Sequence, residues 1–112
     1  MVQSKIAIKN RINEFINKLQ EYVTVSKVIL YGSWVNGNPD EFSDIDLAVF
    51  SPDFGKNKLK ELQLLSKVAW EVDESIEAIP YSSDQLDNAD PTNFVYEILK
   101  TGEIIYDRAV KH

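Results

Sequence analysis

The chain has 112 residues, 44% hydrophobic and 27% charged, no cysteine, one histidine and a net charge of −6; one domain spanning residues 1–112 with a packed core is expected, while disulfides and thiolate metal sites are excluded. The negative balance opposes extended nucleic-acid binding, which draws its affinity from Lys and Arg displacing phosphate counterions, and the lone His112 stands where chain ends fray. No apolar run approaches the roughly 20 residues of a membrane span and residues 1–10 lack a secretory apolar core, so the expected location is the cytoplasm.

Ile12, Phe15, Ile16, Leu19 and Val23 recur at helical spacing, which predicts an amphipathic helix over residues 4–21. Val28, Ile29, Leu30 and Tyr31 form a short apolar run that predicts a buried strand, stopped by Gly32 and Ser33. Residues 32–43 turn to Gly, Ser, Asn and Pro, with turn signals at Asn36-Gly37 and Asn38-Pro39-Asp40, and predict a loop with room for a helical turn at Ser33. A second strand is predicted over 44–50, where Asp44-Ile45-Asp46 alternates before an apolar run.

Leu59, Leu62, Leu65, Val68, Ala69 and Val72 predict a second amphipathic helix. Residues 75–81 alternate around Ile76, Ala78 and Ile79 as a third strand, with Pro80 favouring its end. Asp90 as N-cap and Pro91 as first helical residue predict a third helix through Lys100, closed by Gly102, and a last strand follows over 103–106. This order predicts an α+β class: one mixed sheet of three to four strands flanked by helices.

Chemistry concentrates where Gly32-Ser33 is followed, ten residues later, by Asp44-Ile45-Asp46. Residues two apart on a strand share a face, so Asp44 and Asp46 stand side by side and repel each other. A divalent cation relieves that repulsion, and oxygen-only ligation suits a hard ion such as Mg²⁺ or Mn²⁺. The plainer alternative is a solvated strand edge, but such an edge gives no reason for the pair to follow a Gly-Ser bend. Gly32 permits close approach of a ligand and Ser33 offers a hydroxyl and helix-start amides to phosphate oxygens; the same dipeptide also reads as an ordinary turn with Ser33 as N-cap.

Tyr31-Gly32-Ser33, the ten-residue gap and Ser43-Asp44-Ile45-Asp46-Leu47 resemble the signature of the DNA polymerase beta-like nucleotidyltransferase superfamily, especially its minimal, MNT-type members. The resemblance covers nearly the whole chain. It implies the nucleotidyltransferase fold, two divalent ions, ATP or another nucleoside triphosphate as substrate, and a third carboxylate from the next strand. Glu77 matches that position, with Glu71, Asp73 and Glu74 as rivals whose plainer role is a solvated helix end. Asp44 and Asp46 would then bridge the ions while Glu77 completes their ligation and takes the acceptor's proton.

The chain also departs from the pattern: close relatives often carry Ala and Arg before the glycine that is Gly37 here, where this sequence has Val35 and Asn36. Trp34 reads as a packing residue more readily than as a base-stacking one, and Lys56, Lys58 and Lys60 as a solvated face. Minimal members resembling this chain often act beside a small helical HEPN-type protein, as antitoxins that transfer AMP to the toxin. The resemblance therefore implies transfer to a hydroxyl on a partner protein, with such a partner or self-association completing the acceptor site. Two other readings stay open: a non-catalytic module that neutralises or scaffolds its partner by contact, and transfer to a small molecule such as an antibiotic.

Overall fold

A computed structural model describes residues 5–37, 39 and 43–109. Asn38 and Asp40 of the expected turn, residue 4 of the expected first helix, the side chain of Asn36 and His112 lie outside the described residues. The elements run α1 (Lys5–Leu19), β1 (Lys27–Tyr31), α2 (Ser33–Asn36), β2 (Ile45–Ser51), α3 (Lys58–Val72), β3 (Ile76–Ser82), α4 (Gln85–Asn88), α5 (Phe94–Thr101) and β4 (Glu103–Asp107). Four strands form one mixed sheet in the order β3-β2-β1-β4, with β1 antiparallel to β2 and β4, and β2 parallel to β3.

Strand alternation divides the apolar residues between two layers. Val28, Leu30, Ile45, Leu47 and Val49 face α1 and α3, where Ile12, Phe15, Leu65 and Val68 complete the larger core. On the opposite face Ile29, Ala48 and Phe50 meet Val95 and Ile98 of α5. Each fully buried large side chain contributes about 1.5–3 kcal/mol. The periodicity of α1 and α3 therefore fixes which side of the sheet they cover. Ion pairs from Lys5 and Lys9 to Glu103, the latter at 2.8 Å, and from Lys27 to Asp107 at 3.4 Å tie α1 and β1 to β4.

The third helix starts later than the sequence suggests. Asp90 accepts the Thr92 amide at 2.9 Å and hydroxyl at 2.8 Å, while its carbonyl accepts the Asn93 amide at 2.9 Å. Asp90-Pro91 thus builds a side-chain-stabilised turn, and the helix begins at Phe94 with Asn93 as N-cap. The short α4 was not foreseen; four residues carry too little periodicity to reveal it. Pro80 does not end β3 but sits buried inside it, opposite Val49. β3 is an edge strand, and an edge accommodates a residue that lacks an N–H.

Gly102 closes α5 as expected, its amide donating to the Ile98 carbonyl at 2.8 Å. Its φ of −74° is open to any residue, so the reason for glycine is space. A Cβ there would meet the Ile98 carbonyl at 2.7 Å, the Leu30 carbonyl at 3.0 Å and the Ile29 side chain. Gly102→Ala is expected to destabilise the fold by about 1–3 kcal/mol, read as a lower thermal midpoint; an unchanged midpoint would show that α5 does not press on β1 in this way.

Candidate active site

Three elements converge at one end of the sheet face that carries α5. β1 ends at Tyr31, β2 begins beside it and β3 begins beside β2, with Tyr31 opposite Asp46 and Asp46 opposite Glu77. Directly opposed residues on neighbouring strands share a face, and the strands lie about 4.8 Å apart. Asp46 and Glu77 are therefore side-by-side carboxylates from two strands. Asp44, expected inside the strand, precedes its first residue Ile45. It still lies close enough to act on Asp46.

The electrostatics follow from that crowding. Partial burial raises the Asp46 pKa above its usual value, and the charges of Glu77 and then Asp44 push it further up. No cation offsets these causes. Burial also raises the Tyr31 phenol to about 12, helped by Asp46, Tyr81 and Glu77. Four described cations are engaged elsewhere: Arg11 pairs with Asp73, and Lys5, Lys9 and Lys27 pair with β4. The end of this sheet face is a concentrated negative field.

A chain of hydrogen bonds sets the register. Asp73 caps α3, its amide donating to Ala69 at 2.8 Å, and its carboxylate accepts the Ser75 amide at 2.9 Å and hydroxyl at 2.7 Å. Arg11 of α1 pairs with the same carboxylate at 3.2 Å. The Ser75 carbonyl accepts the Ile45 amide at 2.8 Å, locking the start of β2 to the turn before β3. Asp73 thus positions Asp46 opposite Glu77 while itself serving the turn. Glu71 and Glu74 are exposed, with Glu71 on α3 and Glu74 in the turn.

The Gly-Ser bend faces the same acids. Gly32 has φ 77°, where an L side chain is strained, and a Cβ on it would run into the Asp46 carboxylate. Gly32 rather than Ser33 is the N-cap of α2, so the exposed Ser33 hydroxyl is not spent on capping. Trp34 is buried at 7% exposure in the larger core, which accounts for it by packing; its indole N–H finds no partner.

An all-carboxylate donor set, half-buried at Asp46 and uncompensated by protein cations, fits a hard divalent ion. Among the described residues no three Asp, Glu, His or Cys side chains already stand as a coordination set. Asp44 and Glu77 are exposed, which leaves their side chains room to rotate. Sequence reasoning did not single out the aromatic floor of this face: Tyr31 meets Phe94 edge-on at 5.7 Å, and Phe50 stacks on Tyr81 at 5.4 Å. The signal for Tyr31, Phe50 and Tyr81 was the alternation that places them on the strand face of Asp46; Phe94, on α5, carried none.

A family model described as Polymerase beta, Nucleotidyltransferase matches residues 13–111. The chain therefore belongs to this family and is a nucleotidyltransferase. It is a minimal member of the polymerase beta-like superfamily, as its small four-stranded sheet accords. A search among curated proteins finds no sequence match.

Among solved structures it is similar to a toxin-antitoxin crystallised with AMP-PNP, at TM-score 0.62 and 22% identity over 88% of this chain and 73% of that one. A putative nucleotidyltransferase from Sulfolobus solfataricus gives TM-score 0.62 at 15% identity over 96% and 92% of the two chains. A mutant of the toxin-antitoxin MntA-HpeT gives 0.59 at 19% identity over 88% and 72%. At such identities the likeness is one of fold.

Two acids near the site carry opposite pH signatures. The folded pKa of Asp46 is raised, so its ionisation costs stability as pH rises from the ordinary carboxylate range through the raised value. In chelator, Asp46→Asn is expected to raise stability at pH 7 by a few tenths to about 1 kcal/mol, the scale of like charges opposed across strands, read as a higher thermal midpoint, and to lose that advantage near pH 3. Burial raises the Asp73 pKa, but hydrogen bonds from Ser75 and Arg11 outweigh it and leave the pKa lowered; its stabilisation is present at neutral pH and is lost as pH falls through the depressed value. Asp73→Ala should therefore cost about 1–3 kcal/mol at pH 7 and much less in acid. Thermal scans across pH read both; a destabilising Asp46→Asn at pH 7 would contradict the crowding.

Proposed function

We propose that this nucleotidyltransferase moves a nucleoside monophosphate, AMP from ATP, to a hydroxyl on a partner protein, with divalent metal ions held by Asp44, Asp46 and Glu77. Gly32 and Ser33 would grip the triphosphate, and residues 1–112 would work as one domain in the cytoplasm. The observation that carries this is the opposed register of Asp46 and Glu77 beneath a bend where only glycine fits. When bound, two Mg²⁺ or Mn²⁺ ions supply the positive charge that the acids, the phosphates and the attacking oxygen require.

The residues divide the work by position. Ser33, at the exposed start of α2, offers its hydroxyl to phosphate oxygens on the β1 side. Glu77, on the β3 side, takes the proton of the acceptor hydroxyl as that oxygen attacks the α-phosphorus. The new oxygen–phosphorus bond forms as the bond to the β-phosphate oxygen breaks, and pyrophosphate leaves. Asp46, between the two, is the carboxylate whose charge is least tolerable without a counter-ion.

The partner reading draws support from the toxin-antitoxin likenesses, one crystallised with AMP-PNP. The MntA-HpeT mutant has two aspartates, two positions apart, changed to glutamate, which is the spacing of Asp44 and Asp46. By family resemblance the partner is a small helical HEPN-type protein, or a second copy of this chain. Incubation with α-labelled ATP, Mg²⁺ and proteins encoded beside it should label the partner. EDTA should abolish labelling, and Glu77→Ala should slow it about 10²–10⁴-fold. Labelling indifferent to Asp46→Ala would overturn the assignment, and partner neutralisation that survives Asp46→Ala would favour contact without transfer.

A further inference from the structure

The outward side of α3, on the layer away from Asp46 and Glu77, carries an apolar stripe that this chain leaves uncovered. Leu59 is 66% exposed at its start and Trp70 is 71% exposed near its end. With about 100° of rotation per residue, Leu59, Gln63, Ser66 and Trp70 fall within roughly 60° of one another and form one line along the helix. A groove of about 620 Å³ runs beside that line, lined by Leu62, Gln63, Ser66, Lys67, Trp70 and Glu71. Exposed apolar residues scattered singly call for no explanation, whereas large ones aligned along a groove mark an interaction surface.

The charges flanking the stripe run against the helix dipole. Lys60 stands in the first turn of α3 and Glu71 in the last, where the partial charges of the helix ends favour the opposite signs. Neither side chain enters an ion pair among the described residues. Glu61 projects about 200° around the helix from Leu59; there it accepts the amides of Gly55, Lys56 and Asn57 and acts on Lys56, away from this face. Lys67 is held over the Tyr22 ring, 5.2 Å from its centre.

We infer that α3 docks against α3 of a second copy of this chain, antiparallel across a two-fold axis near the middle of the helix. Leu59 and Trp70 are eleven residues apart, and so are Lys60 and Glu71. Eleven residues make about three turns, so the members of each pair point in nearly the same direction. The axis that seats Leu59 against the second copy's Trp70 therefore also brings Lys60 to the second copy's Glu71, because the rotation keeps each flank beside its own counterpart. Every such contact occurs twice, as self-complementary two-fold interfaces require. Gln63 then faces the second copy's Ser66, amide to hydroxyl, and the two helix dipoles oppose.

The charges select this occupant and this orientation. A parallel pairing would set Lys60 on Lys60 and Glu71 on Glu71, which is repulsive at both ends. Because α3 covers the sheet face opposite the acids, pairing leaves both copies' Asp46 and Glu77 uncovered and does not depend on the transferase reading.

Sedimentation equilibrium of the full chain from about 1 to about 300 μM tests this; one helix pair is a small interface, so a dimer with a Kd on the order of 10 μM is expected. Trp70→Glu should stay monomeric across that range while keeping the thermal midpoint of the dilute wild-type protein. Lys60→Glu or Glu71→Lys alone should weaken dimerisation on the order of 10-fold, since each turns two attractive pairs repulsive. An equimolar mixture of those two variants should pair as well as the wild type, and the chain carrying both changes should recover its dimer. A wild-type chain that is monomeric throughout, a dimer that survives Trp70→Glu, or dimerisation indifferent to the charge reversals would each overturn the inference.

Discussion

Two carboxylates in directly opposed register, Asp46 and Glu77, are the constraint on which the other parts of this protein depend. Like charges across adjacent strands weaken a sheet, so the register has to be imposed by something stronger. It is imposed by the turn before β3, where Asp73 organises Ser75 and the Ser75 carbonyl receives the first amide of β2. Arg11 reaches from α1 to the same aspartate, so a helix on the far layer takes part in aligning acids on the near one.

The two faces of the sheet are consequently unequal. The face under α1 and α3 is closed and carries most of the fully buried side chains. The other is covered by α4 and α5 over only part of its area, through a smaller core of Ile29, Ala48, Phe50, Val95 and Ile98. Beyond that core the residues of the same strand positions become Tyr31, Asp46 and Glu77. A single strand periodicity therefore places a core along one stretch of this face and the acids at its end, with the ring of Tyr31 beside Asp46 and that of Tyr81 beside Phe50.

Strong periodic signals were legible in the sequence and weak local ones were not. The run from Val28 to Tyr31, the spacing of leucines in α3 and the alternation at Asp44-Ile45-Asp46 located their elements to within a residue or two, because each reports burial on one face. Asp90-Pro91 misled because the same residues that start helices also build turns, and only the hydrogen bonds of Asp90 to Thr92 decide between them. The strand order was beyond reach, since adjacency of β1 and β4 is settled by tertiary packing and by the ion pairs of Lys27 and Glu103. The acids themselves could be nominated from their pattern, but the service of Asp73 to the turn rather than the site appears only in three dimensions.

Charge balance explains why such a site persists in so small a fold. Every influence resolved on Asp46 raises its pKa, and none comes from a cation. Lys5, Lys9 and Arg11 of α1 and Lys27 of β1 are committed to Asp73, Glu103 and Asp107, where they hold elements together. Compensation is thereby left to whatever binds, and the free energy withheld from folding is available to ligands that bring positive charge. A protein that filled this corner with its own lysine would gain stability and lose the affinity.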